Sequence, residues 1–343
     1  MIRNMFSLSL AATLLTAVPQ LHADPALRAG VVEGADMVVA ARLSAMSQSA
    51  FARNIRAQES EEDKAERLAA QAKIQELTGL GEDDVDAFIL SIDLSQITPD
   101  MNPAALNTLQ AIAAIQLKKS ITLDQLQQGV AWMQEENDVK SVIARATVGG
   151  QEVLKLTPGP GETWDGPQQL FAGLANEGRT VLMAINEPSL TAAMQRAAGG
   201  AAQQPSPELA AAMRGLANQQ LQVALVLPAE MQAQIQQQVN MMAAIDPMMG
   251  MFATPFAGIK SLVFGATAAE DLNLRLALDL GNEMAATQLA GMFTNMAGAL
   301  PGVGPMARKM TAAADGGVLR IQGAVTNEDL KPMMNPQFGP GGF

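Results

Sequence analysis

The clearest hydrophobic pattern in the chain is an alternation of leucine with other residues late in the sequence. Leucine occupies every second position from Leu272 to Leu280, and a period of two is typical of a half-buried strand. Residues 259–267 predict its hairpin partner, and Gly281 with Asn282 ends the strand and caps a helix. Five apolar residues then share one face of that helix: Met284, Leu289, Met292, Phe293 and Met296.

The same reading extends over the rest of the second half. Residues 221–227 predict a strand that Pro228 ends, and this proline also opens a helix over 229–244. The turn at 315–317 leads into a strand over 318–325, and Thr326 with Asp329 has the spacing of a capping box for a last helix. Residues 219–334 therefore predict strand, helix, strand, strand, helix, strand, strand, helix.

The first half predicts a similar order of elements. Helices are expected where apolar positions recur with a helical period: 44–56, 63–78 with Gly79 as its stop, 122–136 capped by Thr122 and Gln125, and a helix capped by Ser189 that runs to 194. Strands are expected where the pattern has a period of two or runs apolar: 36–42, 85–94, 111–118, and the hairpins 142–147 with 151–156 and 170–174 with 179–185.

This agreement of order predicts an α+β fold of two similar units, each an antiparallel sheet with helices packed on one face. The alternative is a single continuous sheet that spans both halves. The expected boundaries are a signal peptide over 1–23, a first unit over 24–198, a linker and short helix over 199–218, a second unit over 219–334 and a disordered tail over 335–343.

Two phrases, Ala35-Asp36-Met37-Val38-Val39 and Gly258-Ile259-Lys260-Ser261-Leu262-Val263-Phe264, stand within this layout. With the element order, they make the chain resemble a broad group of exported bacterial α+β proteins of unknown function built from repeated strand–helix–hairpin units. The resemblance covers most of the mature chain. It implies the fold and carries over no functional residue.

The N-terminus has the three parts of a secretory signal peptide. Arg3 supplies the positive start, an apolar run without charge covers 5–18, and small Ala23 precedes the first acid, Asp24. The apolar run, about 14 residues long, is shorter than the ~20 residues that a spanning helix needs. We therefore expect cleavage after Ala23 and a periplasmic or secreted mature protein, with no membrane span after cleavage.

Composition narrows the chemistry further. The chain has no cysteine and one histidine, His22, which lies in the predicted signal peptide. Histidine- or cysteine-based nucleophilic catalysis and the usual zinc sites are thereby excluded from the mature chain. The net charge of −12 disfavours nucleic acid as a partner. The sequence contains no Gly-x-Ser-x-Gly elbow, no Ser-x-x-Lys, no Walker loop and no Gly-x-Gly-x-x-Gly, so we expect no enzymatic activity and no cofactor.

Methionine is in excess, with 22 residues. Core packing is its simplest explanation, because methionine fills irregular gaps. A contact surface for a protein partner or an apolar ligand is the minority interpretation, and thioethers also bind Cu(I). The candidate surface consists of Met241, Met242, Met248, Met249, Met251 and Phe252.

The sequence thus predicts an acidic, exported, non-enzymatic binding or structural module whose ligand it does not name. Two alternatives remain open. One is a hydrolase that uses a pair of carboxylates, since that chemistry needs only two acids at the right separation. The other is a carrier of an apolar ligand or Cu(I) through the methionine-rich segment 241–251.

Overall fold

The structure, a computed structural model, describes residues 27, 29–97, 105–164, 166–200, 203–216, 218–246, 250, 253–296 and 304–334. The predicted signal peptide and the predicted tail lie outside these residues. The described chain divides into two compact units. One comprises the described residues of Met1–Ala45 and Glu59–Asn218, and the other those of Met46–Gln58 and Gln219–Phe343. Both contain antiparallel strands and helices, so the predicted α+β class is confirmed.

The first unit is built on an antiparallel sheet in the order β1-β2-β3-β7-β6-β5-β4. Its strands are β1 (Met37–Ala41), β2 (Val85–Ile92), β3 (Ala111–Leu117), β4 (Ser141–Val148), β5 (Gln151–Pro158), β6 (Leu170–Ala175) and β7 (Thr180–Ala184). It includes the first three residues of α1 (Leu43–Ser47), and its other helices are α3 (Glu61–Thr78), α4 (Leu123–Glu136), α5 (Glu187–Ala197) and α6 (Pro207–Met213). The hairpins about 149–150 and 176–178 occur where the sequence predicts them.

Helices cover both faces of this sheet, which corrects the expectation of helices on one face. Ala172 of β6 packs in a cluster with Leu126 and Val130 of α4. The next residue, Gly173, approaches Met194 of α5. Because successive side chains of a strand point to opposite faces, α4 and α5 lie on opposite sides of the sheet. Helix α5 packs against β3, β6 and β7.

The predicted linker is a packed part of the first unit over its described residues. Gln204 accepts a hydrogen bond from the Gly34 amide at 3.0 Å, and the Ser206 amide donates to Ala35 at 3.1 Å. Helix α6 follows, and its Leu209 and Met213 are buried. The Ser206 side chain caps α6 by accepting a hydrogen bond from the Leu209 amide. Backbone hydrogen bonds and a buried apolar face hold this stretch in place.

The second unit contains a smaller antiparallel sheet in the order β11-β12-β10-β9-β8. Its strands are β8 (Leu221–Val226), β9 (Ser261–Ala268), β10 (Leu272–Asp279), β11 (Thr311–Asp315) and β12 (Val318–Val325). Its helices are α2 (Ala50–Arg56), α7 (Ala229–Ile245), α8 (Glu283–Met296), α9 (Gly304–Ala307) and α10 (Asn327–Met334). The leucine alternation is thus strand β10, and Leu278, Leu280 and Leu319 form a core cluster with Leu289 of α8.

Residues 46–58 differ from the prediction in two ways. One helix was expected over 44–56, but the chain forms α1 and α2 with a break at Ser49, whose side chain caps α2 by accepting from the Ala52 amide. Serine competes with the helical backbone by such local hydrogen bonds, which explains the break. Helix α2 then groups with the second unit, where the buried Phe51 donates its amide to the Ala269 carbonyl at 2.8 Å.

The start of α5 also needs correction. Ser189 was expected to cap this helix, but Asn186 does so, because its side chain accepts a hydrogen bond from the Ser189 amide at 2.9 Å. The helix therefore begins at Glu187, with Pro188 in its first turn, where proline loses no hydrogen bond. The Ser189 hydroxyl is therefore not used for capping. Ser189 lines the cavity that is described next.

Candidate functional site

The candidate site lies on one face of helix α5 in the first unit. Ser189, Ala192 and Arg196 are separated by three and four residues, so the helical period brings them onto the same face. All three line a cavity of about 470 Å³. The cavity is also lined by polar and apolar residues from the segment before β3, from β3 itself, and from Val32 and Gln203. Its size falls within the range of small-molecule sites.

Arg196 is the exceptional side chain of this cavity. It is only 8% exposed, and its Nε and Nη2 donate to the Ala29 carbonyl at 3.2 and 2.8 Å. Burial lowers the pKa of the Arg196 guanidinium below its ordinary value. Among the residues that the structure describes, no carboxylate pairs with it. Buried charges are normally paired with an opposite charge, so a buried guanidinium without a carboxylate is unusual.

The Arg196 guanidinium also has unused donors. An arginine side chain carries five N–H groups, and the contacts to Ala29 engage Nε and Nη2. Its Nη1 makes no hydrogen bond to the described residues. Among these residues, two side-chain atoms are both fully buried and without a partner, Gln222 Oε1 and Asn327 Oδ1. Nη1 is not one of them, so it is not fully enclosed. The hydroxyl of Ser189 likewise has no partner among the described residues.

An N-terminal segment, 29–35, which is buried except at Glu33 and Gly34, closes one side of the site. Ser91 is fully buried and holds this segment, donating to the Gly30 carbonyl at 2.7 Å and accepting from the Val32 amide at 2.9 Å. Gln203 accepts from the Glu33 amide at 3.1 Å. The cavity wall is therefore held by hydrogen bonds from β2 and from the residues before α6, and by Arg196 itself.

A second cavity in the same unit, of about 590 Å³, lies near the turn between β6 and β7. Its lining includes Glu177 and Arg179, which are both exposed and of opposite charge. Exposed charges are well solvated, so neither needs a ligand for neutralisation. This cavity is therefore the weaker candidate.

The methionine surface predicted from the sequence is described only in part. Met241 and Met242 lie near the end of α7 and are 52% and 40% exposed. Ile245, one turn further, is 86% exposed, so an apolar surface does exist there. Met248, Met249, Met251 and Phe252 lie outside the described residues. Binding of Cu(I) or of an apolar ligand at 241–251 therefore stays a prediction.

Among the described acids, Asp36 is the one whose pKa is raised. Burial raises the pKa of Asp36 above its ordinary value, the Leu94 amide opposes this, and the charges of Asp93 and Glu208 raise the pKa further. None of these three acids lines either cavity described above. No group of three or more acidic, histidine or cysteine side chains suited to a metal ion occurs among the described residues.

Within the part of the chain that the structure describes, no helix has the length and apolar character needed to cross a membrane.

Sequence reasoning missed the Arg196 site. A signal was present, since Arg196 stands in phase with Ser189 and Ala192 on a helix whose buried residues include Leu190, Ala193 and Met194. The cavity itself is non-local, because its walls come from residues near 32, 107–112, 186–196 and 203. No local pattern reports such an arrangement.

Comparisons with known proteins leave the chain without an assigned family. No family model matches it, and no curated protein is similar to it in sequence. A solved structure, described as crystal form I of TP0453, shares 11% sequence identity with a TM-score of 0.39, over 90% of this chain and 96% of that one.

Proposed function

We propose that the chain is an exported, non-enzymatic binding module whose ligand site is the cavity beside Arg196. One observation carries this proposal: a cavity of about 470 Å³ is lined by a buried guanidinium that has no carboxylate partner among the described residues. A buried, unneutralised charge costs stability. Such a residue is expected where a ligand supplies the missing partner.

The lining fits binding better than catalysis. Its described residues include one charged side chain, Arg196, together with amide, hydroxyl and aliphatic groups. A hydrolytic site requires an acid, a base or a nucleophile with an activating partner. Asparagine, glutamine and serine side chains instead orient a ligand by hydrogen bonds.

We further propose that the two units arose by duplication. Strand order supports this: β1-β2-β3-β7-β6 of the first unit corresponds to β8-β9-β10-β12-β11 of the second. Two helices correspond as well: α4 matches α8 and α5 matches α10 in position along the chain. The hairpin of β4 and β5 is then an addition specific to the first unit, which also carries the cavity.

The proposed function is tested on protein recovered from the periplasmic or extracellular fraction, whose N-terminus we expect at Asp24. Native mass spectrometry and thermal-shift screening of a small-molecule library should identify ligands that bind the wild-type chain. Ala192→Phe should abolish their binding, because the larger side chain fills the cavity that Ala192 lines. Ala198→Phe provides the control, since Ala198 lines the second cavity.

The expected result is a set of ligands lost with Ala192→Phe and retained with Ala198→Phe. A library without any ligand sensitive to Ala192→Phe, or ligands lost equally in both variants, would refute the site.

A further inference from the structure

The donor groups of the cavity allow its ligand to be specified more closely. Resting on the proposed function above, we propose that the cavity binds a small monocarboxylate with a short apolar body, the carboxylate being held by Arg196. The proposal stands on the hydrogen-bond geometry of Arg196, on the charge balance of the lining and on the distribution of apolar residues within it.

Hydrogen-bond geometry favours a carboxylate. Ala29 uses one edge of the guanidinium, the edge that carries Nε and Nη2. The remaining donors, on Nη1 and the second Nη2 hydrogen, form a planar fork, which matches the two oxygens of a carboxylate. The bonds to Ala29 fix the guanidinium in place, so the fork is preorganised for a ligand. Ser189 adds a hydroxyl without a described partner on the same helix face.

Charge balance favours a ligand with a single negative charge. Arg196 is the charged residue among the described residues that line the cavity, and no acid accompanies it there. A monocarboxylate would neutralise it. A phosphate monoester carries close to two charges at neutral pH and would leave one of them unpaired in a partly buried site, which is costly.

The apolar lining indicates the rest of the ligand. Four apolar residues line the cavity: the buried Val32 and Ile112, the half-buried Ala192 and the exposed Pro188. The apolar surface that Ala192 and Pro188 leave accessible is best covered by a short hydrocarbon body. The volume of about 470 Å³ suits a small molecule rather than a peptide segment or a long chain.

The experiment uses three probes that share one hydrocarbon chain: hexanoate, the neutral isostere hexanamide, and hexyl phosphate. Isothermal titration calorimetry measures their binding to the full chain. We expect hexanoate to bind and hexanamide to bind at least about tenfold more weakly, because it lacks the charge-assisted hydrogen bonds. Hexyl phosphate should bind more weakly than hexanoate.

The variants separate charge, shape and folding. Arg196→Met should weaken hexanoate binding at least about tenfold, and Arg196→Lys should weaken it to a lesser extent, because lysine keeps the charge but loses the fork. Ala192→Phe should abolish binding while it leaves the Arg196–Ala29 hydrogen bonds in place, so a folding defect of the Arg196 variants cannot mask the result. The control, Arg179→Met, changes an exposed arginine of the second cavity and should bind hexanoate like the wild type.

Three outcomes would overturn the proposal. The first is no binding of hexanoate to the wild type. The second is binding of hexanamide or hexyl phosphate as tight as that of hexanoate. The third is wild-type affinity for hexanoate in both Arg196→Lys and Arg196→Met while these variants are folded. If library ligands of other charge remain sensitive to Ala192→Phe, the cavity is still the binding site and only the carboxylate assignment fails. If the library contains no ligand whose binding is sensitive to Ala192→Phe, the proposed function is refuted as well.

Discussion

The carboxylate of Asp329 caps the N-terminus of helix α10. It accepts hydrogen bonds from Lys309 Nζ at 2.7 Å, from the Thr326 amide at 2.8 Å and from the Thr326 hydroxyl at 2.7 Å. The ion pair and hydrogen bond with Lys309, followed by the Thr326 contacts, lower the pKa of Asp329 from 3.8 to about 2. The side chain is 7% exposed, so the charged form depends on these partners.

This gives the first prediction, on pH and stability. A pKa that is lower in the folded state means that the charged Asp329 stabilises the protein above pH 3.8, and that this contribution is lost as the pH falls toward about 2. Asp329→Asn should lower the free energy of unfolding by about 1 kcal/mol at pH 6, through loss of the capping interaction. Urea titrations at pH 6 and pH 2 measure the difference between variant and wild type.

The difference should shrink at pH 2, where the wild-type carboxylate is partly protonated. Asp315→Asn removes an exposed acid paired with Arg320 and serves as the control, since exposed ion pairs contribute little. A deficit of Asp329→Asn that is unchanged between pH 6 and pH 2 would contradict the prediction.

At the same scale, the sequence predicted local partners well and distant ones poorly. Thr326 with Asp329 and Thr122 with Gln125 form capping interactions as their spacing indicates, because both partners lie within one turn. Arg196 and Ala29 are separated by 167 positions. The burial of that guanidinium depends on the assembled fold, which no local pattern specifies.

At the scale of elements, two glycines with nearly the same backbone conformation occupy different surroundings. Gly150 lies in the turn between β4 and β5 with φ of 82°, and Gly178 in the turn between β6 and β7 with φ of 83°. A Cβ on Gly150 would meet nothing within 4 Å, whereas a Cβ on Gly178 would collide with the Ile121 carbonyl oxygen. The amide of Ile121 also donates to the Gly178 carbonyl at 3.0 Å.

These turns therefore provide a matched pair for the second prediction. Gly150→Ala should cost about 1 kcal/mol of unfolding free energy, from the left-handed conformation alone. Gly178→Ala should cost about 3 kcal/mol, because the collision with rigid backbone adds to the conformational cost. Guanidinium titration measures both values. Equal costs for the two variants would show that the close approach to Ile121 has no energetic weight.

Elements were predicted best where a single face or a two-residue turn defines them. The leucine alternation that became β10 and the Gly149-Gly150 hairpin are both of this kind. The errors have local physical causes. Ser49 interrupts a helix pattern by capping α2, and Asn186 precedes Ser189 as the cap of α5. The placement of helices on both faces of the first sheet depends on tertiary packing and exceeds what periodicity alone encodes.

At the scale of the whole molecule, chain order and compact units do not coincide. Residues 46–58 come early in the sequence but group with the second unit. There α2 contacts β9 and α10, and Phe51, 5% exposed, is its buried anchor. A boundary drawn from sequence order alone therefore assigns this helix to the other unit.

The third prediction tests that grouping. Phe51→Ala should destabilise the second unit by about 3–5 kcal/mol, the usual cost of truncating a buried phenylalanine. Hydrogen exchange should then accelerate in β8 to β12 and not in β1 to β7. Phe171→Ala provides the reciprocal control, because Phe171 is fully buried in β6 of the first unit and should affect β1 to β7. Faster exchange confined to β1 to β7 in Phe51→Ala would contradict the assignment.

The position of α2 in the sequence also determines how long Phe51 waits for its native partner during synthesis. Phe51 leaves the ribosome about 200 residues before Ala269, whose carbonyl accepts its amide hydrogen bond, and at about 5–20 residues per second this corresponds to about 10–40 s. During that interval the phenylalanine has no native burial site. Phe51, the buried side chain of α2, is thus synthesised early and reaches its native contacts only after residue 269 has emerged, so we expect this side chain to be open to non-native contacts during that interval.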